Sequence, residues 1–367
     1  MNVVSIIMLI FALLGALDRI FGNRFGIGKE FEKGFLLLGQ LVLSMMGMII
    51  IAPIIAELLS PAFDFVYNVL GIEPSIIPAS LFANDMGGAP LAKEIAKNTE
   101  VGMFTAMIVS SMMGATISFT IPLALGCLKK EKHKELILGL LSGIVTIPVG
   151  CIVAGLICKI PFIALILNLL PLIIFAGIIA VGLLLIPKVC IKIFNILGVL
   201  ITVIVTFGLA LGMVELLLGI KPIASAAPAK EGMLICLNAA VVMAGAFPLL
   251  FILSKLLSKP MERLGRVLGI EKISTLGFLS TLANNVSTFE MMNTMDKKGT
   301  VLNSAFAVSA SFVLADHLAF TLAYEPSYLL PMTVGKIVAG ICAVLFALVI
   351  YARVGENLSD KNTEVSE

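Results

Sequence analysis

Long apolar runs separated by short polar breaks extend from one end of the chain to the other. A helix needs about 20 residues to cross roughly 30 Å of hydrocarbon, and most of these runs reach that length. The pattern therefore predicts an all-α polytopic membrane protein with nine membrane-spanning helices. The predicted spans cover residues 2–17, 35–59, 101–127, 137–158, 161–186, 191–218, 233–256, 301–324 and 332–352.

Two further stretches, residues 74–100 and 273–300, mix apolar and polar positions, and neither is apolar enough over its whole length to predict a membrane-spanning helix. Polar, non-helical backbone survives at membrane depth only where protein or a wet cavity surrounds it. The pattern favours re-entrant hairpins, or broken helices, that enter and leave on one side. A surface loop is the alternative interpretation of the polar segment within the second stretch, residues 280–293.

Composition supports the membrane interpretation. Of the 367 residues, 59% are hydrophobic and only 13% are charged. Soluble domains carry about 25% charged residues, so this chain cannot cover an ordinary water-facing surface. No long basic block indicates nucleic-acid binding. The six cysteines lie in or beside apolar runs without metal-type spacing, so packing roles are expected for them and no cofactor is predicted.

The distribution of lysine and arginine predicts the orientation, because cytoplasmic loops carry an excess of both. With the N-terminus outside and both mixed stretches re-entrant, most of the 25 basic residues fall on the inner side, and the C-terminal tail 353–367 is cytoplasmic. The outer side then keeps Lys159, Lys221, Lys230 and Lys336, with Lys93 and Lys97 in the first mixed stretch.

An internal repeat is visible in the sequence. VLGIE occurs at Val69–Glu73 and again 198 residues later at Val267–Glu271, and LFANDM at 81–86 parallels TLANNV at 281–286. Each unit has four spans, and one further span separates the units. The chain therefore crosses the membrane an odd number of times before the second unit begins, so the second unit is inserted upside down. This is the inverted-topology arrangement of secondary transporters. The predicted units are 1–158, with its hairpin at 74–100, and 191–352, with its hairpin at 273–300, joined by a linking span in 159–190.

The hairpin tips carry polar side chains in both units. Asparagine has donors and acceptors and tolerates tight backbone geometry, so it suits the breakpoint of a helix. We expect the two tips to approach each other from opposite faces and to bind a solute near the bilayer midplane. The candidate residues of the tips are Asn84, Asp85, Asn284, Asn285, Ser287, Thr288 and Glu290.

Asp316 and His317 stand well inside the predicted span 301–324. An ionisable group within a span costs at least about 2.5 kcal/mol, so each is a functional candidate. Asp316 is a candidate ligand for a cation, and His317 is a candidate hydrogen-bond donor or proton-coupling group. A hydrogen bond between helices is the structural alternative for both residues.

Acids and amides without an intramembrane arginine favour a small cation that also forms hydrogen bonds. The chain shows no nucleophile–base constellation and only two histidines, so an enzyme is not expected. A carrier with alternating access is the leading hypothesis, and a channel-like facilitator of the same solute, or a transporter of another small polar cation, is the alternative. The coupling ion stays open between a proton, sodium and none.

Three segments resemble the EutH family, the bacterial ethanolamine permeases: DRIFGNRFGIGKEFEKGF at 18–35, LFANDMGGAPLAKE at 81–94 and the long block 278–321. The resemblance implies uptake of ethanolamine across the bacterial cytoplasmic membrane. Ethanolamine is mostly an ammonium ion at neutral pH, since simple amines have a pKa near 10, which agrees with the small cation that the residues favour. The expected partners are ethanolamine, membrane lipid and, because large carriers often pair, a second copy in a homodimer.

Overall fold

The computed structural model describes residues 3–360, and over that range every regular element is helical. Eight of the described helices or helical runs are long and apolar enough to cross a membrane. They are Val3–Ile20, Ile27–Leu70, Thr99–Cys127, Lys130–Ile157, Phe162–Leu185, Pro187–Leu218, Ala229–Leu268 and Pro326–Arg353. The prediction of an all-helical polytopic protein is confirmed. The last residues of the predicted tail, 361–367, lie outside the described range.

Seventeen α-helices make up this range. In chain order they are α1 Val3–Ile20, α2 Ile27–Leu36, α3 Leu38–Leu41, α4 Gly47–Leu70, α5 Ile76–Leu81, α6 Gly88–Ile95, α7 Thr99–Phe104, α8 Ile121–Cys127, α9 His133–Ile157, α10 Phe162–Leu185, α11 Pro187–Leu218, α12 Ala229–Leu268, α13 Lys272–Ala283, α14 Asn285–Met292, α15 Lys297–Ala310, α16 Asp316–Tyr324 and α17 Leu329–Asp360. Short π-helical stretches join α3 to α4 and α7 to α8.

The core of the molecule is the packing of α9 against α15 and α17, with α12 against α1, α2 and α16 on another side. Small residues let these helices approach closely, as is usual in membrane bundles. At Gly150 of α9, an added Cβ would lie 2.5 Å from the carbonyl oxygen of Gly335 in α17. Glycine is therefore needed at this crossing.

Helices α10 and α11 contribute the most exposed apolar surface. Ile163 and Leu217 are 75% and 78% exposed, respectively. A water-soluble protein does not leave helices of this length and hydrophobicity uncovered. These faces suit contact with lipid or with another apolar partner.

Each of the two mixed stretches contains a break between two short helices. The first divides into α5 and α6 around a 3-10 turn at Asn84–Met86, and the second into α13 and α14 at Asn284. The ends of each stretch are tied together. Glu73 accepts hydrogen bonds from the backbone amides of Lys97 and Asn98, both at 2.9 Å, and Asp296 accepts from the amide of Glu271 at 3.1 Å.

The predicted continuous helix over 301–324 is wrong. Residues 311–315 separate α15 from α16, and Phe312 has a left-handed backbone with φ of 59°. The amides of Phe312 and Leu314 donate to the carbonyls of Thr281 and Leu282 at the end of α13, instead of to carbonyls one turn earlier. Pairing with the neighbouring broken helix thus interrupts this helix, and hydropathy alone carries no signal of it.

Candidate functional site

A cavity of about 290 Å³ lies where the three breaks meet. It is lined by residues of the breaks in the two mixed stretches, named the first tip and the second tip here, and by residues of the α15–α16 break. Four of the predicted site residues line it together: Asp85, Asn284, Asp316 and His317. The remaining wall includes Lys33 and Gln40 as well as the rings of Phe119, Phe247 and Phe312. Neither the aromatic wall nor Lys33 and Gln40 were among the residues selected from the sequence.

The first tip projects Asp85 into the cavity. The 3-10 turn ends at Gly87, whose φ of 108° is strained for any residue with a side chain. An added Cβ there would also overlap the side chain of Met48. The amide of Ala83 donates to the hydroxyl of Ser118 at 3.1 Å, which holds the start of the turn against the π-helical run. The Asp85 side chain is 17% exposed, so it reaches the cavity but is largely surrounded by protein.

The second tip presents Asn284. Its side-chain oxygen accepts a hydrogen bond from the amide of Val286 at 2.7 Å, which caps the N-terminus of α14. Asparagine is among the favoured residues for this role. The capping bond uses the oxygen and leaves the amide nitrogen of Asn284 in the cavity wall as a donor for a solute.

The third break contributes Asp316 and His317. Asp316 begins α16, and the imidazole of His317 is almost fully buried. The Nε2 atom of His317 lies 3.9 Å from a carboxylate oxygen of Asp85, and its ring packs on Phe312 with centroids 5.4 Å apart. The site thus brings together two carboxylates, Asp85 and Asp316, from distant parts of the chain.

Five predicted site residues lie elsewhere. Asn84, Asn285 and Thr288 are completely buried behind the tips. The Nδ2 atom of Asn285 donates to Thr120 at 3.2 Å, and Thr288 bonds to Thr281 at 3.1 Å, so both hold the scaffold. Asn84 and Asn285 each stand next to a residue that lines the cavity, and neighbouring side chains at these breaks point in different directions.

The other two are Ser287 and Glu290. Ser287 lines a second cavity of about 380 Å³ that shares Lys33, Phe247, Ala283 and Asn284 with the first. Glu290 is exposed and lines neither of these two cavities. Together the two cavities form a path from the polar residues Glu30 and Ser254 to the two carboxylates.

Lys336 is the residue that the sequence analysis assigned to the wrong environment. It was placed on the outer side, but it is completely buried in α17 and its ammonium donates to the carbonyl of Ser111. Its position inside the predicted span 332–352 was the available signal, because a lysine within a span is a functional candidate by default.

Comparison with known proteins identifies the family. The model of the family EutH, described as ethanolamine utilisation protein, matches residues 1–350. The chain belongs to the EutH family. The chain is 43% identical to a protein of Listeria monocytogenes named probable ethanolamine permease EutH, with 100% of this chain and 98% of that protein covered. A Salmonella typhimurium protein of the same name is 38% identical, with 95% of each chain covered.

A third relative, the uncharacterized protein YxeR of Bacillus subtilis, is 35% identical over 94% of each chain. No solved structure matches the chain. The membership confirms the resemblance seen in the three sequence segments, and the permease names of the relatives agree with the expectation of a transporter rather than an enzyme. With eight apolar helices in the described part of the chain, this member of the EutH family is a multi-pass membrane protein.

Proposed function

We propose that this protein carries ethanolamine, as its ammonium form, through the bacterial cytoplasmic membrane and binds it in the cavity between the three breaks. One observation carries the proposal: Asp85 and Asp316, which come from different units of the chain, converge with Asn284 on one small cavity. The printed names of the relatives support ethanolamine as the solute.

The cavity matches both ends of ethanolamine. Carboxylates of Asp85 and Asp316 compensate an ammonium ion that has lost its water shell, which is necessary because an unpaired buried charge is costly. The rings of Phe119 and Phe312, 5.4 Å apart, offer π-faces on which a cation is also stabilised. The free amide nitrogen of Asn284 and the imidazole of His317 are suited to hydrogen bonds with the hydroxyl group.

Contacts at equivalent positions support the inverted repeat with units 1–158 and 191–352. Asn98 caps α7 through the amide of Val101, and Asp296, 198 residues later, caps α15 through the amide of Gly299. The tie between Glu73 and Asn98 recurs between the equivalent Glu271 and Asp296, with donor and acceptor exchanged. Ends tied in this way favour re-entrant hairpins, whose two ends lie on the same face of the membrane.

The orientation favoured by the basic residues makes the path through Glu30 and Ser254 the cytoplasmic entrance. Lys33 stands beside this path, with its ammonium 4.7 Å from the centre of the Phe247 ring. In this arrangement the site faces the cytoplasm, and alternating access requires a second arrangement that opens it to the outside. The exposed faces of α10 and α11 contact lipid, or a second copy in the predicted homodimer.

Uptake of labelled ethanolamine into proteoliposomes tests the proposal. Saturable uptake is expected, with competition by unlabelled ethanolamine and little competition by ethanol or an amino acid. Choline tests whether the cavity tolerates three added methyl groups. Preloaded labelled ethanolamine should leave faster when unlabelled ethanolamine is added outside, since a carrier exchanges its solute. Absence of any ethanolamine uptake would contradict the proposal, and flux that does not saturate would favour a facilitator.

A further inference from the structure

We infer that the mouth of the solute path holds a second binding site for primary alkylammonium ions, formed by the Glu30 carboxylate and the Phe247 ring. We call this pair the mouth site, and in this structure the ammonium of Lys33 occupies it. The inference rests on the proposed function, because it concerns how ethanolamine leaves the same path. Lys33 and Phe247 line both cavities, and Glu30 lines the second. A solute that moves between the cavities therefore passes the mouth site.

The side chain of Lys33 shows which ligand the mouth site accepts. Its Nζ atom lies 3.6 Å from a carboxylate oxygen of Glu30 and 4.7 Å from the centre of the Phe247 ring. A carboxylate attracts an alkylammonium ion by charge, and an aromatic face attracts it through its quadrupole. Lys33 is thus a tethered alkylammonium whose head group is the same as that of ethanolamine.

The exposure of these groups allows one ammonium to replace another. The Phe247 ring is buried and the Glu30 side chain is 27% exposed, so the protein holds both in place. The Lys33 side chain is 58% exposed, and an ion pair as exposed as this changes an equilibrium by no more than about fivefold. A solute ammonium can therefore displace the Lys33 ammonium and be displaced by it.

This exchange favours release of the solute at the open end of the path. Asp85 and Asp316 attract the ammonium ion into the first cavity, and an unoccupied mouth site would bind it again as it leaves. When Lys33 returns to Glu30 and Phe247, it fills the mouth site behind the departing ion. The two positive charges also repel each other at this distance. Lys33 therefore shortens the time that the solute spends in the second cavity.

Two other roles of Lys33 lead to different predictions. As a surface pair within α2, Lys33 and Glu30 would stabilise the helix slightly and leave solute binding unchanged. As a fixed positive charge, Lys33 would weaken cation binding at the deeper carboxylates whether or not Glu30 is present. Only a site for which Lys33 and the solute compete makes the effect of Lys33 depend on Glu30.

A double-mutant cycle of the wild type, K33M, E30Q and E30Q/K33M separates these roles. The concentration dependence of ethanolamine exchange in proteoliposomes gives the apparent affinity and the maximal rate of each protein. Replacing Lys33 with methionine should raise the affinity about fivefold and lower the maximal rate by a similar factor, because the freed mouth site retains the solute. In the E30Q background the same replacement should change each quantity by less than about twofold.

K255M is the matched control. The Lys255 ammonium lies 4.0 Å from the centre of the Phe251 ring, but Lys255 lines neither of the two cavities. K255M should exchange ethanolamine like the wild type. K33M kinetics equal to those of the wild type would leave only the surface pair and overturn the inference. A gain in affinity that persists in the E30Q background would indicate a fixed-charge effect and would also overturn it.

A cysteine at position 33 keeps the test decisive if K33M is unstable. In a protein whose six native cysteines are replaced, 2-aminoethyl methanethiosulfonate gives K33C an ammonium again, whereas methyl methanethiosulfonate adds a neutral group. Only the first reagent should restore the exchange rate of the parent protein, and equal rates after both reagents would contradict the inference.

The mouth site can also be tested without transport. If the wild type takes up no ethanolamine, the proposed function fails, but thermal unfolding with methylammonium chloride still measures binding at Glu30 and Phe247. Methylammonium should stabilise K33M more than E30Q/K33M. Equal stabilisation of the two variants would show that the carboxylate of Glu30 binds no ammonium ion from solution.

Discussion

At the scale of single residues, the site depends on charges that water does not reach freely. Asp316 lines the cavity and begins a helix at a break in the chain. An anion at a helix N-terminus is stabilised by the amides there, which suits Asp316 to the cation-binding role proposed for it. The neighbouring His317 places its Nε2 atom 3.9 Å from Asp85 and joins the two acids into one cluster.

Replacing Asp316 with asparagine should weaken ethanolamine uptake by about 100-fold or more, because a buried charge loses its partner. The measurement is the concentration dependence of uptake in proteoliposomes at matched protein content. E290Q is the matched control, since Glu290 is exposed and outside the cavity. Transport by D316N at the wild-type level would remove Asp316 from the site.

Asn284 has two roles, and two variants separate them. N284S keeps a side-chain oxygen that can cap α14 without adding a charge to the cavity, whereas N284A loses the cap and should cost about 1 kcal/mol of stability. Both variants remove the amide donor, so both should lower the affinity for ethanolamine by roughly fivefold. Thermal unfolding and uptake, measured side by side, check the two effects. An N284S protein that unfolds like N284A would show that the cap is unimportant.

At the scale of elements, glycine and the broken helices decide where the polar side chains lie. Gly87 ends the turn that carries Asp85, and its φ of 108° places the next helix, α6, at the required angle. Gly71 also has a positive φ, of 65°, but it ends α4 and nothing lies within 4 Å of a Cβ added there.

This pair provides a controlled test. G87A and G71A should both lose about 1 kcal/mol or more because of backbone strain. Only at position 87 would the added methyl group overlap the side chain of Met48. We therefore expect only G87A to displace the first tip and abolish most uptake. Thermal unfolding measures the first effect and proteoliposome uptake the second. Equal uptake by the two variants would mean that the tip tolerates displacement.

At the scale of the whole molecule, the arrangement of the units predicts which side reaches the site. Cysteines introduced at Ser254 and Ser287, which line the second cavity, should react with a membrane-impermeant thiol reagent from the cytoplasmic side. A cysteine at Lys221, in the exposed loop before α12, should react from the opposite side. The six native cysteines are first replaced with serine or alanine, and labelling is compared in right-side-out and inside-out vesicles.

Ethanolamine should slow the reaction at Ser287 and leave the reaction at Lys221 unchanged, because Ser287, unlike Lys221, lies on the path to the carboxylates. Labelling of the Ser254 and Ser287 variants from the outside alone would reverse the predicted orientation. Labelling of all three from one side would contradict the topology on which the two inverted units depend.

Polar residues are rare in this chain, so the sequence indicates most of the polar side chains around the cavity. Of the candidate residues, Asp85, Asn284, Asp316 and His317 line the cavity, whereas Asn84, Asn285 and Thr288 are buried outside it. Neighbouring residues at a break share the same hydropathy signal, so only the tertiary structure separates the side chain in the cavity from the one behind it. The burial of Lys336 was missed because its charge was counted as a loop charge.

The sequence by itself determined the membrane class, the helical composition, the family and the two polar breaks. Polar groups are costly in lipid, so membrane-spanning helices appear in the sequence as long apolar runs, and breaks appear as polar interruptions. Tertiary structure decided the rest. The break at 311–315 exists because its amides bond to the end of α13. The meeting of Asp85 with Asp316 in one cavity depends on packing between helices far apart in the chain, and no local pattern contains that information.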